Sequence, residues 1–312
     1  MSTFTAAIAS SVERYIALQR SLGYRFSTQA GLLHAFVRYV RSVHAQGPLT
    51  QTLALDFIRS VGGAPDGRAK RYGCIRRFSQ YHAAFDVCTE SLDPRVLSRS
   101  RASPPPRILS DEQLRTLVQA SYRISTACPL RGQTIATVIG LLASTGLRSG
   151  EALRLDRCDV DLTTGILQIR RSKFKKDRVV PVHATTLTAL RLYAAQRDRT
   201  FSVAKDSAFF ISSRRCRLSS AGLYYGFAQA CALAGLNAHA VKPLRPHDLR
   251  HRFAVTRLAA WLRQKTDVQS LLPLLATYLG HARYSDTAYY ITATPELLRL
   301  ASKKAFGHRG AS

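Results

Sequence analysis

Acidic residues are scarce in this chain. Its 312 residues carry 19 Asp and Glu against 46 Lys and Arg, a formal charge of +27. With a pI near 10.7, that excess argues for a polyanionic partner, most simply nucleic acid. A membrane surface is the competing polyanion, but no apolar run approaches the roughly 20 residues that a spanning helix requires. The opening Met1-Ser2-Thr3-Phe4-Thr5 lacks a basic region followed by an apolar core, so no secretory signal is expected. The six cysteines, Cys74, Cys88, Cys128, Cys158, Cys216 and Cys231, are scattered with no Cys-x-x-Cys pair. That argues against a disulfide framework and against a zinc site, and predicts reduced, structural thiols in a cytoplasmic protein. A Gly-x-x-x-x-Gly-Lys-Ser/Thr loop is missing, which argues against ATP use. No acidic cluster suggests a two-metal nuclease. No internal repeat or low-complexity tract is visible.

What is present suffices for packed domains. Hydrophobic residues make up 46% of the chain, and its length predicts two domains. The first hundred residues read as four short amphipathic helices. Phe4, Ile8, Val12, Tyr15 and Ile16 share one helical face, and Gly23 sits where that helix stops. A second stripe, Leu33, Phe36, Val37 and Val40, follows an expected cap at Ser27. A third helix starts near Thr50 and carries Leu53, Phe57, Ile58 and Val61. A fourth places Ile75, Phe78 and Phe85 on its apolar side and Arg68, Lys70, Arg71, Arg76 and Arg77 on the others. Such a basic edge suits the flank of a polyanion, although helices with solvated basic faces are common.

Residues 99–107, with three consecutive prolines, form the best linker, since they cannot continue a helix. The expected division is therefore 1–98, a linker over 99–107, and 108–312. Ser110 with Gln113 reads as a capping box opening the second domain. There, Gly165–Arg170 alternates as a half-buried strand does and Arg178–Val182 is its expected partner, with the turn at 172–177. Helices are expected over 184–199, 219–235, 246–262, 267–278 and 284–291, with a last one from Pro295 carrying Leu297, Leu298 and Leu300. The fold class is thus mainly α with a small β-sheet.

The chemistry lies in spaced residues of the second domain. They are Thr145-Gly146-Leu147-Arg148-Ser149-Gly150-Glu151, Lys173 in a basic turn, Pro246-His247-Asp248-Leu249-Arg250-His251, Leu279-Gly280-His281, and Tyr290 nine residues later. Holding a phosphodiester through its transition state needs fixed donors at the non-bridging oxygens. Arginine suits this best, because its planar fork stays charged and binds phosphate in pairs. His247 and Arg250 fall three apart, on one side of a helix. His247 and His251, four apart, mimic a zinc pair, but Asp248 stands where a glutamate is usual and no third ligand is evident.

In this order and spacing the chain resembles the tyrosine recombinase, or phage integrase, family over about 108–312. The N-terminal bundle looks like that family's core-DNA-binding domain. The resemblance implies an N-terminal four-helix core-DNA-binding bundle followed by a catalytic tyrosine recombinase domain. It implies Tyr290 as nucleophile, leaving a 3′-phosphotyrosyl link and a free 5′-hydroxyl. It implies Arg148 and Arg250 as phosphate clamps, His281 as a third donor, His247 as proton acceptor and Lys173 as the acid that protonates the leaving oxygen. Glu151, one turn from Arg148, would orient a neighbouring cation. Tyr289 adjoins Tyr290, and the spacing from His281 favours the latter. Lys175 and Lys176 rival Lys173, and the hairpin alignment favours Lys173, leaving the other two for nearby phosphates.

The function so implied is site-specific recombination or integration of double-stranded DNA for a mobile element. It would be carried out by a homotetramer or mixed tetramer on two sites, in the bacterial cytoplasm at the nucleoid, with no cofactor, no metal and no membrane. The stretch Leu274–His281, with Thr294-Pro295-Glu296-Leu297-Leu298 after it, looks most like the recombinases of mobile elements. A type IB-like topoisomerase and a catalytically silent DNA-binding protein of the same fold are the alternatives.

Overall fold

The structure is a computed structural model of the chain. It describes residues 3–97, 106–125, 127–170, 177–201, 207–238, 240, 242–264, 266–281, 287 and 290. The chain divides into two compact units, Met1–Pro104 and Pro105–Ser312.

The first unit holds α1 (Thr3–Ser21), α2 (Ser27–Ser42), α3 (Gln51–Val61) and α4 (Pro65–His82). Their apolar faces meet in one core: Ile8, Val12 and Ile16 from α1, Leu33, Phe36 and Val40 from α2, Phe57 and Ile58 from α3, Ile75 and Phe78 from α4. Thr50 accepts the Leu53 N–H and starts α3, which removes one of the helix's orphan donors.

Two expectations fail here. Ser27 is the first helical residue of α2 rather than its cap. The capping position belongs to Phe26, held left-handed at φ 47° with no side-chain cap, and its ring packs edge-on against Tyr15. Hydrophobic contact, not a hydroxyl, fixes that entry. Phe85 does not join the apolar side of α4. The helix ends at His82, and Phe85 lies beyond it, 59% exposed, with the Arg14 guanidinium over its ring.

The second unit opens on α5 (Asp111–Tyr122), whose capping box is formed by Ser110 and Gln113. Through its middle runs α6 (Pro129–Thr145), most of whose residues are buried, Leu130, Ile135, Val138, Ile139, Leu141 and Leu142 among them. A helix with so wide an apolar surface lies inside a core rather than on its edge. Then come α7 (Ser149–Arg154) and a three-stranded antiparallel sheet, β1 (Val160–Asp161), β2 (Ile166–Ile169) and β3 (Arg178–Pro181), in that order. Leu167 faces Val180 across the β2–β3 pair, and both are buried.

The remaining elements are α8 (Ala184–Thr200), α9 (Ser220–Leu233), α10 (Pro246–Arg263) and α11 (Val268–Leu279). The main cluster of this unit gathers α6, the sheet and α9. A second joins Phe253, Leu258, Leu272, Leu275, Leu279 and Tyr290, packing α10 and α11 beside the tyrosine. Thr287 and Tyr290 have helical backbone. The hairpin turn with Lys173, Lys175 and Lys176, the rest of the expected 284–291 helix and the helix from Pro295 lie outside the described residues.

Candidate active site

The site is built on two helix ends. α6 stops at Gly146, whose φ of 64° is left-handed, and α11 stops at Gly280 with φ 69°. Glycine takes that conformation without penalty, which is why it closes so many helices. At Gly146 space demands it too: an added Cβ would lie 2.5 Å from Phe253 Cδ1. Each helix end leaves carbonyls with no intrahelical donor and a partial negative charge. Arginines fill those positions.

Arg250, on the first turns of α10 and 1% exposed, donates Nη1 to the Gly146 carbonyl and Nη2 to the Leu279 carbonyl, both at 2.8 Å. Arg148 donates Nη2 to the Gly280 carbonyl at 2.8 Å and Nη1 to Glu151 Oε1 at 2.9 Å. The two guanidinium groups thus hang from neighbouring carbonyls of one turn. These two acceptors are dipoles, not carboxylates, so the charge of Arg250 is held in place without being neutralised by them. Burial first, then the nearby Arg148, hold its pKa down to about 10. It is still charged at neutral pH, and two close cations in a buried place favour an anion between them.

Glu151 organises the rest. Its carboxylate accepts the Arg148 backbone N–H at 3.0 Å and both terminal nitrogens of Arg178 at 3.1 and 2.8 Å. Arg178 Nε reaches the Tyr278 carbonyl at 2.9 Å. Burial alone would raise the Glu151 pKa. The Arg178 hydrogen bonds and charge, with those of Arg148, bring it down to about 2. One carboxylate among Arg148, Arg178 and Arg250 leaves the cluster strongly positive.

The rings come from α10 and from beyond α11. Tyr290 is 3% exposed. Its ring stacks on His281 at 6.1 Å between centroids and meets His251 edge-to-face at 5.5 Å. His281 Nδ1 is paired with Thr287 Oγ1 at 2.6 Å. The Tyr290 phenol is near enough to bear on the charge of Arg250. His247 and His251 are in edge-to-face contact at 4.8 Å. Burial first, then the charges of His251 and Arg250, lower the His247 pKa to about 4. By surface area the His247 side chain is open to water, so solvent moderates that shift, and the ring is neutral at pH 7 in either case. His251 is lowered too, chiefly by burial.

Arg148, Glu151, Arg250, His251, His281 and Tyr290 are therefore brought together from four chain segments, with His247 alongside His251. Two members escaped the sequence reading. Arg178 stands at the start of β3, where the Arg178-Val179-Val180-Pro181 pattern marked a strand but not a partner for Glu151. His251 lies four residues after His247, a spacing that suggests a zinc pair and gives no sign of its contact with Tyr290. Among the described residues no group of His, Cys, Asp and Glu is arranged to hold a metal ion.

On α4 of the first unit, Lys70 and Arg77 are exposed, and Arg68 and Arg76 are half-buried. Arg71 differs from them, because its Nη1 donates to the Gly62 carbonyl at 2.5 Å and closes the α3–α4 turn.

Comparison with known proteins points to one family. Residues 107–296 match the phage integrase family. The protein y4rE of Sinorhizobium fredii, named as an integrase/recombinase, is 58% identical over 312 residues, covering 100% of both chains. Tyrosine recombinase XerA of Thermococcus kodakarensis is 31% identical over 233 residues, 74% of this chain and 72% of its own. In structure, XerH site-specific recombinase bound to palindromic difH substrate in a post-cleavage complex superposes with a TM-score of 0.62. It shares 20% identity and covers 88% of this chain and 78% of that one.

The chain belongs to the phage integrase family, the tyrosine recombinases. It is a tyrosine-type DNA strand transferase of the site-specific recombinase class. No helix among the described residues is long and apolar enough to cross a membrane.

Proposed function

We propose that this chain cuts and rejoins duplex DNA through a phosphotyrosine at Tyr290, in the integration or transposition of a mobile element. The phenolic oxygen attacks the scissile phosphorus, the P–O5′ bond breaks, and the 3′-phosphate stays on the enzyme. The broken ester's energy is kept in that link, so a partner strand's 5′-hydroxyl reverses the attack without ATP or metal. Arg148 and Arg250 hold the non-bridging oxygens, and His281 adds a donor. Lys173 protonates the leaving 5′-oxygen. His247, which is open to solvent, accepts the tyrosine's proton. A phenol has a pKa near about 10, so it needs such an acceptor and a cationic setting at neutral pH.

One observation carries this reading. A buried tyrosine stacks on His281 and bears electrostatically on a buried arginine whose hydrogen bonds go to backbone carbonyls. Those carbonyls fix the guanidinium in place, and its charge remains to hold an anion beside the tyrosine. The fixed donors act in a largely buried site, where they stabilise developing charge better than in open water.

The partner is double-stranded DNA, and +27 of formal charge drives the encounter. Arg68, Lys70, Arg76 and Arg77 of α4, with Lys175 and Lys176 beside the acid, supply phosphate contacts. Arg71 contributes mainly by holding its turn. Two DNA sites are exchanged within a homotetramer or mixed tetramer, in the cytoplasm at the nucleoid. The test is a nicked suicide substrate carrying the element's own ends, read as an SDS-stable protein–DNA adduct. Tyr290→Phe is expected to abolish the adduct and leave DNA binding intact. An adduct formed by Tyr290→Phe overturns the nucleophile.

A further inference from the structure

Three consecutive carbonyls at the end of α11 each hold a different arginine. The Tyr278 carbonyl accepts Arg178 Nε at 2.9 Å, the Leu279 carbonyl accepts Arg250 Nη2 at 2.8 Å, and the Gly280 carbonyl accepts Arg148 Nη2 at 2.8 Å. The Arg178 guanidinium also lies against Gly280, where an added Cβ would come within 2.9 Å of its Nη1. Two of these arginines are the phosphate clamps of the reading above. The third commits its fork to Glu151.

Glu151 divides its oxygens unequally between Arg178 and Arg148. Its Oε1 accepts Arg178 Nη1 at 3.1 Å and Arg148 Nη1 at 2.9 Å. Its Oε2 accepts Arg178 Nη2 at 2.8 Å and the Arg148 backbone N–H at 3.0 Å. Arg178 therefore takes the paired contact that a guanidinium and a carboxylate favour, and Arg148 makes a single side-chain bond. The Glu151 side chain is 1% exposed and that of Arg178 12%. The two arginines thus compete for one carboxylate largely out of water, where charge pairing is strong.

We propose that Arg178 is a positioning residue that occupies Glu151 and so keeps the positive charge of Arg148 for the DNA phosphate. This rests on the strand-transfer reading above. Without Arg178, the buried carboxylate closes its paired contact on Arg148 instead. That draws the Arg148 guanidinium off the Gly280 carbonyl and cancels charge that the phosphate requires. Arg178 touches no reacting atom in this account; it acts through Glu151 and Arg148.

The experiment is a cycle of Arg178→Gln, Glu151→Gln and the double variant in the full chain, read as single-turnover adduct formation at saturating DNA. Arg178→Gln is expected to lose about 10²-fold, the range for one donor to a developing anion. Adding Glu151→Gln removes the carboxylate that captures Arg148, so the double variant is expected to be about tenfold faster than Arg178→Gln, a coupling within the range for residues in contact. An arginine that merely holds the fold together predicts the opposite, a second substitution that deepens the loss. A double variant no faster than Arg178→Gln overturns the proposal.

A second comparison does not need Arg178→Gln to fold. The double variant leaves no buried carboxylate without its partner, so it escapes the penalty of a broken ion pair. With Glu151 replaced, Arg178 has no further task, and the double variant is expected to match Glu151→Gln within about threefold. A much slower double variant overturns the proposal and leaves the Tyr290 reading intact. Adduct formation by Tyr290→Phe overturns that reading itself.

Discussion

Arg250 and Gly146 lie 104 positions apart and are joined by a 2.8 Å hydrogen bond from guanidinium to carbonyl. That bond explains why two short motifs must coexist in one chain. The glycine ends α6 in a left-handed residue and leaves its carbonyl free of the helix. The arginine, entering from α10, takes that carbonyl and the one at Leu279. Arg148 does the same at Gly280. The Thr-Gly-Leu-Arg and Leu-Gly-His motifs are therefore two halves of one device, a pair of helix ends whose orphan carbonyls hold arginines still.

Removing either arginine separates catalysis from binding. Arg148→Ala and Arg250→Ala are each expected to lower the adduct-forming rate by about 10²- to 10³-fold at saturating DNA, the usual loss for one donor to a developing anion. Arg250→Ala also strands the Gly146 and Leu279 carbonyls, at roughly 1–3 kcal/mol for each unsatisfied group. Its melting temperature should therefore fall further than that of Arg148→Ala. Single-turnover cleavage beside thermal unfolding checks both statements. A normal cleavage rate in either variant removes that residue from the site.

Glu151 gives the protein an acid-sensitive joint. Its folded pKa, about 2 against an ordinary 4.5, is depressed, so its stabilisation is complete above pH 4.5. It is lost as pH falls from there toward 2. The difference is worth on the order of 3 kcal/mol. Glu151→Gln is expected to be less stable than the parent at pH 7, with the gap closing near pH 2–3. Denaturant unfolding of the two proteins across that window tests it, and a gap independent of pH contradicts it.

Gly146 tolerates no side chain. Gly146→Ala meets a left-handed φ and the Phe253 ring together. The cost should exceed the roughly 1 kcal/mol of an ordinary helix-end alanine, and cleavage should fall with it because the Arg250 carbonyl moves. Gly31→Ala, where an added Cβ meets nothing within 4 Å, is the control and should leave cleavage unchanged.

The α4 arginines differ in kind. Arg77→Ala is expected to weaken DNA binding and flatten the dependence of log K on log salt by about one unit, the share of one phosphate contact. Arg71→Ala, which loses the Gly62 bond, should lower the melting temperature and leave the salt slope nearly unchanged. Fluorescence anisotropy across a salt series distinguishes them.

Much of this was legible in the sequence because the signals were local. Thr50 and the Ser110–Gln113 box mark helix starts through their own hydrogen bonds, and the alternation at Ile166–Ile169 marks a strand. The helix α6 shows little periodicity, because most of its residues are buried whichever way they face. The start of α2 misled because Phe26 replaces a polar cap by packing on Tyr15. Arg178 and His251 were hidden for another reason. Their meaning lies in contacts with Glu151 and Tyr290, 27 and 39 positions away, which only the fold creates.

The most direct measurement traps the protein on a suicide substrate, digests the adduct, and sequences the nucleotide-bearing peptide by mass spectrometry. The expected attachment is a 3′-phosphate on the oxygen of Tyr290. Attachment to Tyr289, to Tyr278 or to any serine would contradict the site described here, as would a 5′-linked nucleotide.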